Sequence, residues 1–243
     1  PSLKDRHITL IGCGAIGGYL AQALVKLGAG SGAGSLRLID PDDLAPGNLG
    51  RHVFGMDSLY KSKAVALQEA LIRQFPHAQI VAEPRRAAYP SDIAGDLVID
   101  ANGEEAVSEA INANRHSVPS AEGARVLHIW IVANGEGVQA LWVDQRKYAC
   151  FRCMRQNDLA RSKRFHVVDH EPETRIAGCN AYTPYAISAP MSASALAIDM
   201  IIDWLKGDVS PRFRTRSIEG ADIRKIKNQN VSPLEGCPGC SLP

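Results

Sequence analysis

An α/β fold with a mostly parallel sheet, helices on both of its faces and an antiparallel extension is predicted from three observations. The chain opens with a strand, a glycine turn and a helix. Apolar strands then alternate with helical segments. Two CxxC pairs, far apart in sequence, supply a tetrahedral thiolate set for a structural zinc site. The 243 residues, 45% hydrophobic and 22% charged, suffice for one large domain or a domain with a subdomain.

His7 to Ile11 (HITLI) is a β-branched apolar run and reads as the first strand. Gly12-Cys13-Gly14-Ala15-Ile16-Gly17 comes at once after it, and Gly18 to Leu27 has helical periodicity. Residues 28–35 (GAGSGAGS) read as a flexible loop without a function of its own. Leu36 to Ile39 is the second strand, ending at Asp40, with a helix at 61–75 and a strand at 79–82. Residues 96–99 form another buried strand ending at Asp100, and 104–115 are helical. Residues 128–132 and 137–143 read as later strands in an antiparallel arrangement. Residues 154–185 are polar and aperiodic, long for a loop inside a compact domain, and such loops are usually functional or disordered. A helix spans 190–205, and the tail from 212 to 230 is basic and mixed. Trp130, Trp142 and Trp204 lie in apolar segments and are expected in the core.

Bulk properties exclude several classes. A net charge of +1 gives no argument for nucleic acid or a membrane surface. No apolar run reaches the roughly 18 residues of a membrane span, and no secretory signal is visible. The chain starts at Pro1 rather than Met, consistent with a piece of a longer polypeptide. Six cysteines could make three disulfides, but that pattern belongs to short secreted domains. The CxxC pairs Cys150/Cys153 and Cys237/Cys240 favour zinc and a reducing, cytoplasmic setting. Cys13 and Cys179 are left over; Cys13, inside the glycine turn, is expected to be a packing residue.

GCGAIG matches G-x-G-x-x-G between a strand and a helix. Gly12 makes the tight turn, Gly14 lets phosphates approach the backbone, and Gly17 packs helix on strand. Asp40, ending the second strand, can accept hydrogen bonds from ribose hydroxyls. This Rossmann-like signature alone says nucleotide, and NAD is its default. The residues beyond Asp40 do not suit hydride transfer. Asp40, Asp42, Asn48, Arg51 and Lys63 cluster after the turn, a set that can neutralise a triphosphate as charge shifts to pyrophosphate. His52 reads as structural or nucleotide-contacting.

Asp40…Asn48-Leu-x-Arg51 and Lys63 after GxGxxG, with the two CxxC knuckles, resembles the ThiF/MoeB/HesA group over nearly the whole chain. This is the adenylation domain shared by ubiquitin-activating enzymes and their bacterial relatives. The wording Asn48-Leu-Gly-Arg51-His52 resembles bacterial proteins in which such a domain is fused to, or works with, a conjugating-enzyme domain, some from antiphage operons. The resemblance implies one adenylation domain over 1–243. Residues 1–149 would be its nucleotide-binding half, and 150–243 a zinc-stapled half with a crossover loop at about 154–185. Gly12, Gly14 and Gly17 would form the nucleotide turn, Asp40 would hold the ribose, and Asn48, Arg51 and Lys63 would bind and polarise the triphosphate. Asp100 falls where the family begins its Asp-x-Thr-Asp-Asn motif. The second aspartate of that motif aligns with Gly103, so Asp100, Glu104 or Asp42 would have to serve Mg2+. Many relatives donate an arginine from an N-terminal helix across a dimer, and only Pro1 to Arg6 precede the first strand here. Cys179 would be the acyl-accepting thiol, with Arg175 and His170 near it in sequence to favour its thiolate.

The implied reaction is adenylation, with ATP and Mg2+, of the C-terminal carboxylate of a ubiquitin-like protein ending in glycine. Thioester transfer to Cys179 and hand-over to a conjugating enzyme would come next, and the chain would work as a homodimer. Three other readings stand beside it. They are an adenylyltransferase for a peptide or sulfur-carrier C-terminus without a self-thioester, an NAD(P)-linked oxidoreductase with structural zinc, and an inactive binding scaffold.

Overall fold

A computed structural model describes residues 1–117, 123–155, 164–177, 180–218 and 224–240. The alternation expected from sequence resolves into β1 (His7–Ile11), α1 (Ala15–Lys26), β2 (Ser35–Ile39), α2 (Lys63–Gln74), β3 (Ile80–Glu83), β4 (Leu97–Asp100) and α3 (Glu105–His116). Then come β5 (Arg125–Val132), β6 (Gly137–Val143), α4 (Phe151–Arg155), β7 (Arg175–Ala177), β8 (Asn180–Tyr182), α5 (Ser188–Leu205) and β9 (Phe213–Ser217).

Seven strands form one sheet in the order β3-β2-β1-β4-β5-β6-β9, and β7 pairs with β8 separately. The first five are parallel; β6 and β9 add antiparallel. Parallel strands need covering on both faces, which is why β1 (Ile8, Thr9, Leu10, Ile11) and β4 are buried throughout. One face packs under α1, α2 and α5 through Leu20, Leu24, Leu67, Ala197 and Trp204. The other packs under α3 and the cysteine knuckles through Ile111, Val126, Phe213 and Cys150. The chain winds outward from β1 to β3, then returns to place β4 on the other side of β1. The switch leaves a crevice beyond the C-terminal ends of β1 and β4, the standard ligand position in such sheets.

Several readings change: the stretch 154–185, read from sequence as an aperiodic loop, contains the paired strands β7 and β8. Residues 28–35 are held rather than loose: the Gln79 N–H donates to Gly30 O at 2.7 Å, and the Ala33 N–H donates to Asp5 Oδ1 at 2.8 Å. The tail contains β9, whose Phe213 is fully buried while its arginines reach outward to Asp199 and Asp203. Composition concealed it, because three of the strand's seven flanking and internal residues from 211 to 217 are arginines. Trp142 and Trp204 are core, but Trp130 is only half-buried, and its Nε1–H donates to Gln139 Oε1 at 3.1 Å. Behind the sheet, Arg212 grips Asp144 with two hydrogen bonds of 2.7 and 3.0 Å and stacks over Tyr148. No helix among the described residues is long and apolar enough to cross a membrane.

Candidate active site

The glycine turn joins β1 to α1 at the crevice. Gly12 has φ +95°, and a Cβ there would lie 2.5 Å from the Asn102 Cα. At Gly17 a Cβ would lie 1.9 Å from the Gly12 carbonyl oxygen, so this glycine lets helix and strand close up. Nothing lies within 4 Å of a Cβ at Gly14. Its bare backbone instead faces the crevice at the start of α1, where unpaired helix N–H groups favour an anion.

Asp40 fastens this turn to β2. Its Oδ2 accepts the Cys13 N–H at 2.7 Å and its Oδ1 accepts the Asp42 N–H at 2.8 Å. Burial raises its pKa; the Asp42 N–H and Lys63 pull the other way. Cys13 is fully buried, and burial followed by the Asp40 charge pushes its thiol well above the usual range, as befits a packing residue. His52 braces the turn from below. Its Nδ1 accepts the Phe54 N–H at 3.2 Å, so Nε2 carries the proton and donates to Cys13 O at 2.8 Å. Burial lowers its pKa and keeps it neutral. His52 lines neither cavity of the site and is structural.

Asn48 organises the next turn. Its Oδ1 accepts the Ala45 N–H at 2.9 Å, and its carbonyl accepts the Arg51 and His52 N–H groups. Its side chain lies outside both cavity linings. Lys63 begins α2, just after the Ser62 cap. It is buried, and its Nζ donates to Asp42 Oδ2 at 2.9 Å, while its N–H donates to Asp42 O. Arg51 is held differently. Its guanidinium lies 5.7 Å from the Tyr182 ring centroid and 5.3 Å from that of Tyr185.

Two cavities meet at Asn102. The smaller, about 310 Å3, is bounded by Gly12, Asp40, Asp42, Tyr89, Asn102 and Glu104. The larger, about 470 Å3, lies beyond β4 and β5, and its lining includes Gly14, Arg51, Asp100, Asn102, His128 and Tyr185. Of the residues singled out from sequence, Gly12, Asp40 and Asp42 thus face the first cavity and Gly14, Arg51 and Asp100 the second. Lys63 reaches the site through Asp42. Asp100 is fully engaged: Oδ2 lies 2.6 Å from His128 Nδ1, and Oδ1 accepts from the backbone and side-chain N–H groups of Asn102.

Sequence reasoning missed His128, Asn102 and the tyrosine pair. His128 had a legible signal: it is the lone polar side chain in the run VLHIWIV. The tyrosines had none, since only the fold brings residues 182 and 185 against Arg51. Cys179 lies outside the described residues.

Cys150, Cys153, Cys237 and Cys240 converge, with their sulfurs all within 4.8 Å of one another and 3.5–3.8 Å apart in three pairs. Sulfurs 2.3 Å from a central zinc ion stand about 3.8 Å apart, so the cage fits tetrahedral zinc. Three of the four cysteines are buried, with no carboxylate or histidine among the clustered ligands, which suits a structural site. The hydrogen bond to Cys153, with burial, lifts the Cys150 thiol, and burial pushes Cys240 up to about 12. A cation is what makes four thiolates tolerable there.

Comparisons with known proteins agree with this fold. A protein from Pseudomonas aeruginosa named ATP-dependent ubiquitin transferase-like protein Cap2 is 34% identical over 242 residues, covering 99% of this chain and 44% of that protein. The chain therefore spans less than half the length of that curated relative. The molybdopterin-synthase adenylyltransferase of Salmonella typhimurium is 30% identical over 160 residues, covering 63% of this chain and 60% of that one. The crystal structure of E. coli MccB superposes with a TM-score of 0.72 at 17% identity, over 98% of this chain and 66% of that one. MccB has also been solved with ATP. The ThiF family model matches residues 1–238. With the family model matching nearly the whole chain, the chain belongs to the ThiF family.

Proposed function

We propose that this chain uses ATP to adenylate the C-terminal carboxylate of a ubiquitin-like protein. The observation that carries this reading is the pair of cavities meeting at Asn102 across the glycine turn. One offers a ribose-binding carboxylate, Asp40; the other offers an open backbone at Gly14 and a guanidinium at Arg51. A nucleotide in the first would direct its phosphates toward the second, where a carboxylate can wait.

In the reaction, a carboxylate oxygen attacks the α-phosphorus of ATP. The α–β bond breaks, and pyrophosphate leaves with the electron pair. The protein supplies position and charge rather than covalent chemistry. Gly12 and Gly17 shape the turn, and Asp40 accepts from the ribose. Arg51 and Lys63 neutralise the triphosphate, with Asn48 fixing the turn that presents Arg51. Mg2+, when bound, would screen the negative charge of the phosphates. Asp42 and Glu104 are the exposed carboxylates at the nucleotide cavity able to meet it, since both oxygens of Asp100 are already bonded. Asp100 acts indirectly, by holding His128 and Asn102 in place.

The Cap2 name supports a ubiquitin-like substrate. The onward steps belong to the same proposal. The Cys179 thiolate attacks the acyl carbon, AMP leaves, and the resulting thioester passes to a conjugating-enzyme domain or protein, the chain working as a cytoplasmic homodimer. A second reading, adenylation without a self-thioester, is favoured by the molybdopterin-synthase adenylyltransferase relative. ATP–pyrophosphate exchange that depends on a protein ending in glycine supports both readings. A thioester formed by the wild type and lost in Cys179→Ala, with exchange retained, selects the first; exchange with no thioester in either selects the second. Exchange that is absent, or unaffected when the terminal carboxylate is amidated, refutes both.

Gly14→Ala gives a separate check. The added methyl meets nothing within 4 Å, so the melting temperature is expected within about 2 °C of wild type. The methyl occupies the backbone surface that phosphates approach, and ATP affinity measured by calorimetry is expected to fall about ten-fold or more. Unchanged affinity would move the phosphates elsewhere.

A further inference from the structure

His128 sits fully buried in β5, opposite Asp100 in the parallel register. Asp100 holds its Nδ1 at 2.6 Å, and Phe151 covers the ring at a centroid distance of 4.7 Å. The ring is thereby fixed in plane and position. Its other nitrogen, Nε2, is buried and has no hydrogen-bond partner among the described residues. Buried polar atoms nearly always have a partner, so an orphan on a cavity wall points to a ligand. His128 lines the larger cavity and not the nucleotide cavity.

We propose that His128 is a substrate-binding residue whose Nε2 hydrogen-bonds the terminal carboxyl group of the acyl substrate, with Asp100 as its positioning residue. This rests on the adenylation reading and adds a residue to it. In the bound arrangement Nδ1 stays with Asp100, and Nε2–H donates to the carboxyl oxygen, a charge-assisted pair that the Asp100 carboxylate supports from the other side of the ring. Arg51 is the other cationic group assigned to this reaction on the same cavity wall. After adenylation the carbonyl oxygen keeps the hydrogen bond, so His128 holds the acyl-adenylate as well as the free acid.

The test compares two ligands by calorimetry. One is AMP, which fills the nucleotide cavity alone. The other is 5′-O-(N-glycylsulfamoyl)adenosine, an uncleavable mimic of a glycyl adenylate that extends a carbonyl into the larger cavity. His128→Phe is expected to weaken the mimic by about ten-fold or more, as for loss of a hydrogen bond to a charged group, and AMP by less than about two-fold. His128→Gln, which keeps a donor, recovers part of the loss, and Asp100→Asn shows the same split as His128→Phe. If His128→Phe fails to bind AMP, His128→Leu takes its place. Equal losses for both ligands, or none for either, overturn the role of His128 while leaving adenylation standing. A wild type that binds neither ligand overturns the adenylation reading and this inference with it.

Discussion

Replacing Arg51 with alanine is expected to cut ATP–pyrophosphate exchange by about 10²–10³-fold, the usual cost of removing one charge-stabilising donor from a transition state. Arg51 makes no salt bridge among the described residues, although many other arginines here pair with carboxylates. It stacks on Tyr182 and Tyr185 at the wall of the larger cavity. Its charge is therefore uncompensated where pyrophosphate would develop. Its two stacking contacts are each worth roughly 0.5–1 kcal/mol at an exposed site, so the folded state should lose only about 1–2 kcal/mol. Kinetics and thermal melts together separate the two effects. Exchange that survives in Arg51→Ala at more than a few per cent of wild type would remove Arg51 from the machinery.

Loss of the metal is expected to act in the opposite way, on stability before chemistry. The cage joins residues 150 and 153 to residues 237 and 240 and packs against the core beneath α3. A Cβ at Gly239 would lie 2.7 Å from that of Arg152, so the two knuckles fit closely. Chelation, or Cys237→Ser, leaves buried thiols without a cation and frees the tail. A cost of about 4 kcal/mol is modest against the apparent zinc affinity of such cages. At roughly 2–4 °C per kcal/mol for a chain of this size, the melting temperature should fall by about 10 °C. Metal analysis of the native protein should return one zinc per chain. Absence of zinc, or an unchanged melt after chelation, contradicts a structural cage.

Much of the fold is legible in the sequence alone, because periodicity and glycine spacing are local signals. β1, the turn, α1 and β4 can be read from HITLI, GCGAIG and DLVID, and the cage from two CxxC spacings. Harder to read were features that depend on distant partners. β9 is strand because Phe213 inserts beneath the sheet and its arginines find Asp199 and Asp203, neither of which its own sequence shows. Residues 28–35 look featureless but are tied down by Asp5 and Gln79. At the site, the acids, Arg51 and Lys63 were visible in sequence, whereas His128 was missed and the split between two cavities was not visible. Nor was the engagement of both Asp100 oxygens by His128 and Asn102, which moves the search for the Mg2+ ligand to Asp42 and Glu104.

The central claim is that a C-terminal carboxylate attacks the α-phosphorus of ATP at this site. It is tested most directly by labelling that carboxylate with heavy oxygen and tracing the isotope by mass spectrometry through one round of adenylation and acyl release. The account predicts label in AMP and none in pyrophosphate or inorganic phosphate. Label in phosphate, or ATP consumed with no label in AMP, would contradict it.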